Sequence, residues 1–220
     1  MTGNWYLDVI ETQSAPINEY LETHTPRFVN LVGTSKSCTG AFIIANHFAR
    51  IYPNVIFRIF AFSAYTRLDR EHYEKAGMLD ELPESLLKIW ETPKGVALTE
   101  CYKDAADLIQ EPNIKAYMIF PSRSRGPEPG SANRLAYLSN VALIPLRVRV
   151  HSVIFPFWRT LTSDAKVETF EGNPPAKLAP EVYAYFHAMQ TDPWYRFSLY
   201  TLLFETPRFR LEMKRFNAKV

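Results

Sequence analysis

The chain has 220 residues, 47% hydrophobic and 22% charged, with a formal net charge of +2. That composition suits one globular domain, or a core domain with an appendage, and excludes disordered, collagen-like and low-complexity chains. Two cysteines, Cys38 and Cys101, make neither a disulfide framework nor a four-ligand zinc site, and the small net charge argues against nucleic acid as a polyelectrolyte partner.

Trp5 to Ile10 alternates loosely and predicts a short strand, with a short helix over Pro16 to Glu22 and a break at Pro26. Phe28, Val29, Leu31 and Val32 then form a compact apolar strand that ends in Gly33. After the loop Gly33-Thr34-Ser35-Lys36-Ser37, the residues Ala41, Ile44, Ala45, Phe48 and Ile51 fall at helical spacing and predict a helix over Thr39 to Tyr52. Pro53-Asn54 breaks it, and the β-branched and aromatic run Val55 to Phe62 is a second strand. Asp69 to Ala76 reads as a helix with Asp69 as N-cap, a Glu71/Lys75 pair at i,i+4 and Gly77 just past its end. Further helices are expected over Pro83 to Trp90 and Thr99 to Gln110. Ile114 to Phe120 is a third strand, followed by a long loop, Pro121 to Pro129, a helix from Gly130 to about Asn140, and a fourth strand, Leu146 to Val150, opened by Pro145.

Strands that alternate with helices predict a parallel sheet with crossover helices. The fold class is therefore α/β: a Rossmann-like parallel sheet with flanking helices and a helical C-terminal extension. Residues 1–26 form a lead-in, 27–151 the Rossmann-like domain and 152–220 the extension. Within the extension a strand is expected at Lys166 to Phe170, then three helices, Pro180 to Met189, Pro193 to Glu205 and Pro207 to Phe216, each with proline near its start. The aromatics Tyr183, Phe186, Trp194, Phe197, Tyr200 and Phe204 are expected to pack on the α/β core or on a second copy, which leaves a homo-oligomer open. Met1 to Glu11 lacks a basic region followed by an apolar run, and no stretch approaches the roughly 18 apolar residues of a membrane span. The expectation is a soluble cytoplasmic protein with reduced thiols and no membrane partner.

In an open parallel sheet, ligands bind outside the carboxyl ends of the strands, near a topological switch point. Two loops are expected there. In Gly33-Thr34-Ser35-Lys36-Ser37, glycine permits a tight turn, hydroxyls and backbone N–H groups donate, Lys36 adds charge and the helix end adds a positive dipole. The alternative is an ordinary strand-to-helix turn capped by Ser37 or Thr39. The second loop carries Arg123 and Arg125, which offer bidentate donors to phosphate, and ends in Pro129-Gly130-Ser131-Ala132-Asn133. There Gly130 would let the backbone approach a ligand, with the N–H groups of Ser131 and Ala132 pointing outward; the alternative is a proline-stiffened surface loop with Ser131 as N-cap. Tyr65 and Arg67 follow the second strand at its carboxyl end and are placed to stack on or bond a base.

Other candidates are weaker. His24, His47, His72, His151 and His187 show no metal-ligand spacing and read as surface or capping histidines, so no metal and no cofactor are expected. Asp69-Arg70-Glu71-His72 splays its charges over a solvated first turn. Cys38, at a predicted helix start, would have a stabilised thiolate if it were used, with packing as the alternative. Arg147 and Arg149 alternate with Leu146, Val148 and Val150, which would charge one face of the fourth strand. The basic tail, with Arg208, Arg210, Lys214, Arg215 and Lys219, reads as a solvated amphipathic face.

The segment from Tyr117 to Val150, YMIFPSRSRGPEPGSANRLAYLSNVALIPLRVRV, resembles the second half of the SLOG superfamily, the Rossmann-like domains of DprA proteins, LOG phosphoribohydrolases and related nucleotide sensors. Phe120-Pro121, Pro129-Gly130-Ser131 and Ile144-Pro145-Leu146-Arg147-Val148 stand where that family has a strand ending in Phe-Pro, a Pro-Gly-Thr/Ser helix start and an Ile-Pro-Val strand. Gly33-Thr34-Ser35 is similar to its first loop. The order of elements matches over about Arg27 to Val150, the residues only over the last third. The middle lacks the Gly-Gly-Ala-x-Gly-x-Asp signature, and Arg134 stands where the LOG hydrolases carry their catalytic glutamate.

The resemblance implies a module that binds a phosphorylated nucleotide or a nucleotide-derived signalling ligand. Gly33, Thr34, Ser35, Lys36, Arg123, Arg125, Gly130, Ser131 and Asn133 would hold its anion, and Tyr65 or Arg67 its base. Two alternatives stay open: a nucleotide N-glycoside hydrolase that uses Glu71, Glu100 or Glu128 as its acid, and an interaction protein that has lost the site.

Overall fold

The computed structural model describes residues 5–167, 176–193 and 197–219. Its elements run α1 (Val9–His24), β1 (Phe28–Thr34), α2 (Ser37–Ile51), β2 (Ile56–Phe62), α3 (Arg70–Ala76), a 3-10 turn at Leu79–Glu81, α4 (Glu84–Ile89), α5 (Pro93–Cys101), α6 (Ala105–Leu108), β3 (Ile114–Pro121), α7 (Glu128–Asn133), β4 (Val141–Leu146), α8 (Phe155–Trp158), β5 (Lys166–Val167), β6 (Ala176–Lys177), α9 (Pro180–Thr191), α10 (Leu199–Phe204) and α11 (Thr206–Lys219). The α/β class, the all-parallel Rossmann-like sheet and the helical C-terminal stretch are as the sequence predicts.

Strands β1 to β4 lie side by side in chain order, every pair parallel, from Phe28↔Ile56 at one end of the register to Pro121↔Leu146 at the other. The order never reverses, so the sheet has no topological switch point, in contrast to the expectation. The physical reason is in the crossovers. Connections of one hand that always step the same way must lie on one face. Accordingly Phe57, Ile59 and Ala61 of β2 and Ala116 and Met118 of β3 pack with Phe42, Phe48, Leu86, Ala106 and Leu135 from the crossover segments, and Leu21 of α1 joins them. Alternate strand residues point the other way. Phe60, Phe62, Ile119, Ile144 and Leu146 meet Phe186, Met189, Leu202, Met213 and Phe216 of the C-terminal helices. The extension is therefore the second covering layer of the sheet. Tyr200 and Phe204 remain half-exposed or more on its outside, and Trp194 lies outside the described residues.

Several sequence expectations are corrected. Trp5 to Ile10 is a turn leading into α1, with Trp5 and Tyr6 at φ 49° and 60°, and one helix replaces the predicted strand and short helix despite Pro16 inside it. Tertiary packing decides this: Trp5 and Leu7 are buried, and the Trp5 indole donates to Ser85 Oγ at 3.2 Å. The predicted helix Thr99 to Gln110 is two helices, because Asp104 caps α6 through Ala106 N–H (2.8 Å) and forms an antiparallel bridge with Arg67. The fourth strand is Val141–Leu146, so Pro145 lies inside it, an edge position where the missing N–H is tolerated. Arg147 and Arg149 consequently fall past its end and do not charge a strand face. Residues 168–170 of the strand expected at Lys166 to Phe170 lie outside the described residues. Asp69 precedes α3 as expected but makes no side-chain cap, and Gly77 ends that helix at φ 65°.

Candidate functional site

The carboxyl end of β2 is the hub of this site. β1 and β2 both stop in a serine of left-handed backbone, Ser35 at φ 53° and Ser63 at φ 50°. Such a conformation costs a non-glycine residue about 1–3 kcal/mol and persists where neighbours enforce it. Here Ser35 N–H donates to Phe62 O and Ser63 N–H to Ile119 O, both at 2.8 Å. Each strand end is thus stitched to the next, and the loops beyond them are aimed outward from one edge.

In the first loop, the Ser37 hydroxyl closes the turn, accepting Thr34 N–H (2.7 Å) and donating to Thr34 O (2.9 Å). A Cβ on Gly33 would lie 2.7 Å from Cys38 Cα and 2.8 Å from Cys38 N, so the close seat of α2 on β1 requires glycine there. The N–H groups of Cys38 and Thr39 turn back to Ser35 O and Lys36 O, whereas those of Lys36 and Ser37 find no acceptor among the described residues. Cys38 is fully buried, burial pushes its thiol far up, and Sγ faces Phe62 O at 3.6 Å; it packs, and the thiolate reading is set aside.

The second loop runs beside the end of β4, with Ser122 N–H on Leu146 O (2.8 Å) and Arg123 N–H on Val148 O (3.1 Å). The helix after it begins at Glu128, not at Gly130. Ser131 N–H is taken up by Pro127 O at 2.8 Å, so it does not point outward. Gly130 has no positive φ, and a Cβ there would meet nothing within 4 Å. Starting the helix two residues earlier carries Glu128 inward. It is buried, its Oε2 accepts from Ser124 Oγ (3.0 Å), and its Oε1 lies 2.6 Å from His151 Nδ1. The His151 carbonyl is in turn held by the Ser63 hydroxyl and by Val153 N–H. Tyr65 completes the cluster, its ring 6.2 Å from that of His151 and edge-on to Trp5 at 5.2 Å.

Electrostatically the pair is well defined. Burial alone would push the Glu128 carboxyl up, but hydrogen bonds from His151, its own N–H and Ser124, with the charge of His151, hold it below its ordinary value of 4.5. Burial, then the charge of Glu128, pushes the Tyr65 phenol far up, so it is a neutral donor. A carboxyl depressed on folding contributes stability above its unfolded pKa and loses it as pH falls through the folded one. The stability gap between the wild type and Glu128→Gln is therefore expected to be full at neutral pH and to shrink as pH falls below about 4.5. Melting curves of both proteins from pH 7 to 3 check this, and parallel curves would refute it.

The predicted site residues separate into three groups. Ser35, Tyr65 and Ser131 are tied to the hub, Ser131 through its carbonyl, which accepts from Thr66 Oγ1 at 2.9 Å. Lys36 and Arg125 lie in the loops around it and make no ion pair with a described carboxylate, Gly130 and Asn133 lie in α7, and the charge of Arg123 acts on Tyr185. Arg67 is engaged as a structural cation, held by both oxygens of Asp69 at 2.6 Å and by Asp104 at 3.4 Å. Arg134 likewise grips Asp104 at 2.9 and 2.5 Å. The loops after β1 and β3 follow strands that are separated by β2. Ser63, Ser124 and His151 were missed from sequence. The only available signal was that Glu128 and His151 both follow the carboxyl ends of strands.

No protein-family model matches this chain, and no curated protein matches it in sequence. Among the described residues, no helix is long and apolar enough to cross a membrane, and no three His, Cys, Asp or Glu residues group as metal ligands.

Proposed function

We propose that the chain binds a phosphorylated nucleotide or a nucleotide-derived signalling ligand across the carboxyl ends of β1 to β3. The observation that carries the reading is the Tyr65 side chain. It is buried, yet its hydroxyl makes no hydrogen bond to a described residue, while the sole fully enclosed side-chain polar atom without a partner among those residues is Asn30 Oδ1. The hydroxyl therefore keeps some contact with solvent and is available to a ligand. The loops after β1 and β3 carry the acceptor-free amides of Lys36 and Ser37 and the unpaired Lys36 and Arg125, which suit an anion. The likeness of residues 117–150 to the SLOG superfamily supports the same ligand class.

The N-glycoside hydrolase alternative loses its acids. Glu71 and Glu100 are exposed and paired with Lys75 and Lys103. Both oxygens of Glu128 are engaged by Ser124 and His151, and Arg134 stands in an ion pair where the family's glutamate would be.

A thermal-shift panel of nucleoside mono-, di- and triphosphates, cyclic nucleotides and ADP-ribose tests the proposal, since a ligand of the folded state raises Tm by mass action. Lys36→Ala is expected to weaken the best binder several-fold while leaving unliganded stability within about 0.5 kcal/mol. Gly130→Val has open space for its side chain in the free protein, so any affinity it loses reports a ligand in that space. A flat panel leaves the interaction-protein reading.

A further inference from the structure

The Glu128–His151 pair has the form of an acid–base unit, and the binding reading does not use it. Glu128 is buried and His151 is 39% exposed, so the pair runs from the interior to the surface at the ligand-facing edge. An ionised carboxylate can only accept, so the proton between them sits on His151 Nδ1. That leaves Nε2, which contacts no described polar group, as the free nitrogen. Orientation is fixed from every side: Oε1 of Glu128 holds the ring, Ser124 holds Oε2, and Ser63 and Val153 hold the His151 backbone. A surface histidine that merely capped a turn would need none of these supports.

We infer that His151, positioned by Glu128, is the general base and acid for hydrolysis of a phosphoester or phosphoanhydride bond in the nucleotide bound at this edge; the inference rests on the binding reading. The Tyr65 hydroxyl near the pair is kept neutral by burial and the charge of Glu128, so it is a donor and a poor nucleophile. The Ser63 hydroxyl is committed to the His151 carbonyl, that of Ser124 to Glu128, and Cys38 is enclosed. Water is therefore the attacking group. Its oxygen forms the new bond to phosphorus as Nε2 takes its proton. The bond from phosphorus to the leaving oxygen breaks, the electron pair stays on that oxygen, and Nε2 returns the proton to it. One water is consumed and the imidazole is regenerated. The Tyr65 hydroxyl, a neutral donor on a ring 6.2 Å from that of His151, would bond a non-bridging phosphoryl oxygen. Phosphoryl chemistry is favoured over glycoside cleavage because the latter needs a carboxylate oxygen facing the sugar, and both oxygens of Glu128 are engaged.

The test uses the full chain with p-nitrophenyl thymidine 5′-phosphate as phosphodiester probe and NAD+ as glycoside probe. Release of p-nitrophenol is expected, with His151→Gln lowering kcat by about 10²–10⁴-fold, the usual contribution of a general acid–base group. Glu128→Gln is expected to lower kcat about ten-fold or more with KM nearly unchanged, a positioning effect. A merely structural role for Glu128 would instead lower melting temperature and leave the kcat of the folded protein unchanged. Melting temperatures of each variant and Tyr65→Phe, which keeps the packing and removes only the hydroxyl, separate chemistry from folding. Binding is followed in parallel with thymidine 5′-monophosphate. If that nucleotide binds but no p-nitrophenol appears, or His151→Gln retains wild-type turnover, this inference falls and the binding reading stands. Nicotinamide release without p-nitrophenol release overturns it in favour of glycoside cleavage. If turnover occurs without nucleotide binding, the binding reading falls, and with neither, both fall.

Discussion

Replacing Asp104 by alanine is expected to destabilise the protein by about 3 kcal/mol, the low end for breaking a buried ion pair. Its carboxylate is largely enclosed and does three jobs. It binds the Arg134 guanidinium through both oxygens at 2.9 and 2.5 Å, it faces Arg67 at 3.4 Å, and it caps α6 through Ala106 N–H at 2.8 Å. Removing it leaves two guanidiniums with one carboxylate, Asp69, which is already taken by Arg67. Burial would push the Asp69 carboxyl up, but Arg67 holds it below the ordinary range, which shows how strongly that pair is coupled. The loss should reach the ligand edge too, because Arg134 donates to Thr66 O at 3.3 Å and the Thr66 hydroxyl anchors Ser131 in α7, the helix that carries Glu128. Urea unfolding gives the stability and titration with the best nucleotide the affinity. Asp104→Asn, which keeps an acceptor for the cap, should fall between. A change under about 0.5 kcal/mol for Asp104→Ala would mean that the network is solvent-screened and structurally idle.

Gly33→Ala should cost about 1–3 kcal/mol, the range for overpacking a well-filled interior, and should weaken nucleotide binding as well. The added methyl would sit 2.7 Å from Cys38 Cα, a backbone atom at the buried start of α2 that cannot swing aside as a side-chain tip would. Relief requires α2 to back away from β1, and that movement would carry off the Lys36 and Ser37 amides and the Ser35 contact with Phe62 O. Gly130→Ala is the matched control. Its methyl meets nothing within 4 Å and it lies inside α7, where alanine is the better helix former by about 1 kcal/mol at most. The two variants should therefore differ in sign or nearly so in stability, read as unfolding midpoints. Equal effects would show that the first loop tolerates rearrangement and does not hold a fixed amide cradle.

Much of the fold is legible in the sequence because it depends on local pattern. The apolar runs at 55–62 and 114–120 are largely buried, as parallel strands between helices must be, the edge run at 28–32 is half-buried with Val32 exposed, and no alternative period competes with them. The alternation with helices then makes the sheet parallel. Local reading fails where two patterns overlap. VALIPLRVRV offers two strand registers, and only pairing with β3, Ala116↔Val141 through Pro121↔Leu146, selects the earlier one. The Trp5 segment alternates like a strand but becomes a left-handed turn because its side chains find burial against Ser85 and Tyr65, far along the chain.

The site divides in the same way. Gly33 to Ser37 and Tyr65 were readable because a loop after a strand faces the carboxyl edge whatever the strand order. Glu128 and His151 were not readable as a pair. They are 23 residues apart, with α7 and β4 between them, and no spacing rule links them. Arg67, read as a group that could bond a base, is held mainly by Asp69 two residues on, and Arg134 by Asp104 from another segment. By itself the sequence determined the parallel α/β class, its covering helices and the loops at the carboxyl edge of the sheet, since these follow from hydrophobic period and turn chemistry. The tertiary structure alone decided the sequential strand order, the neutralisation of Arg134 by Asp104 and the meeting of Glu128 with His151, because each depends on which distant segments the crossovers bring into contact.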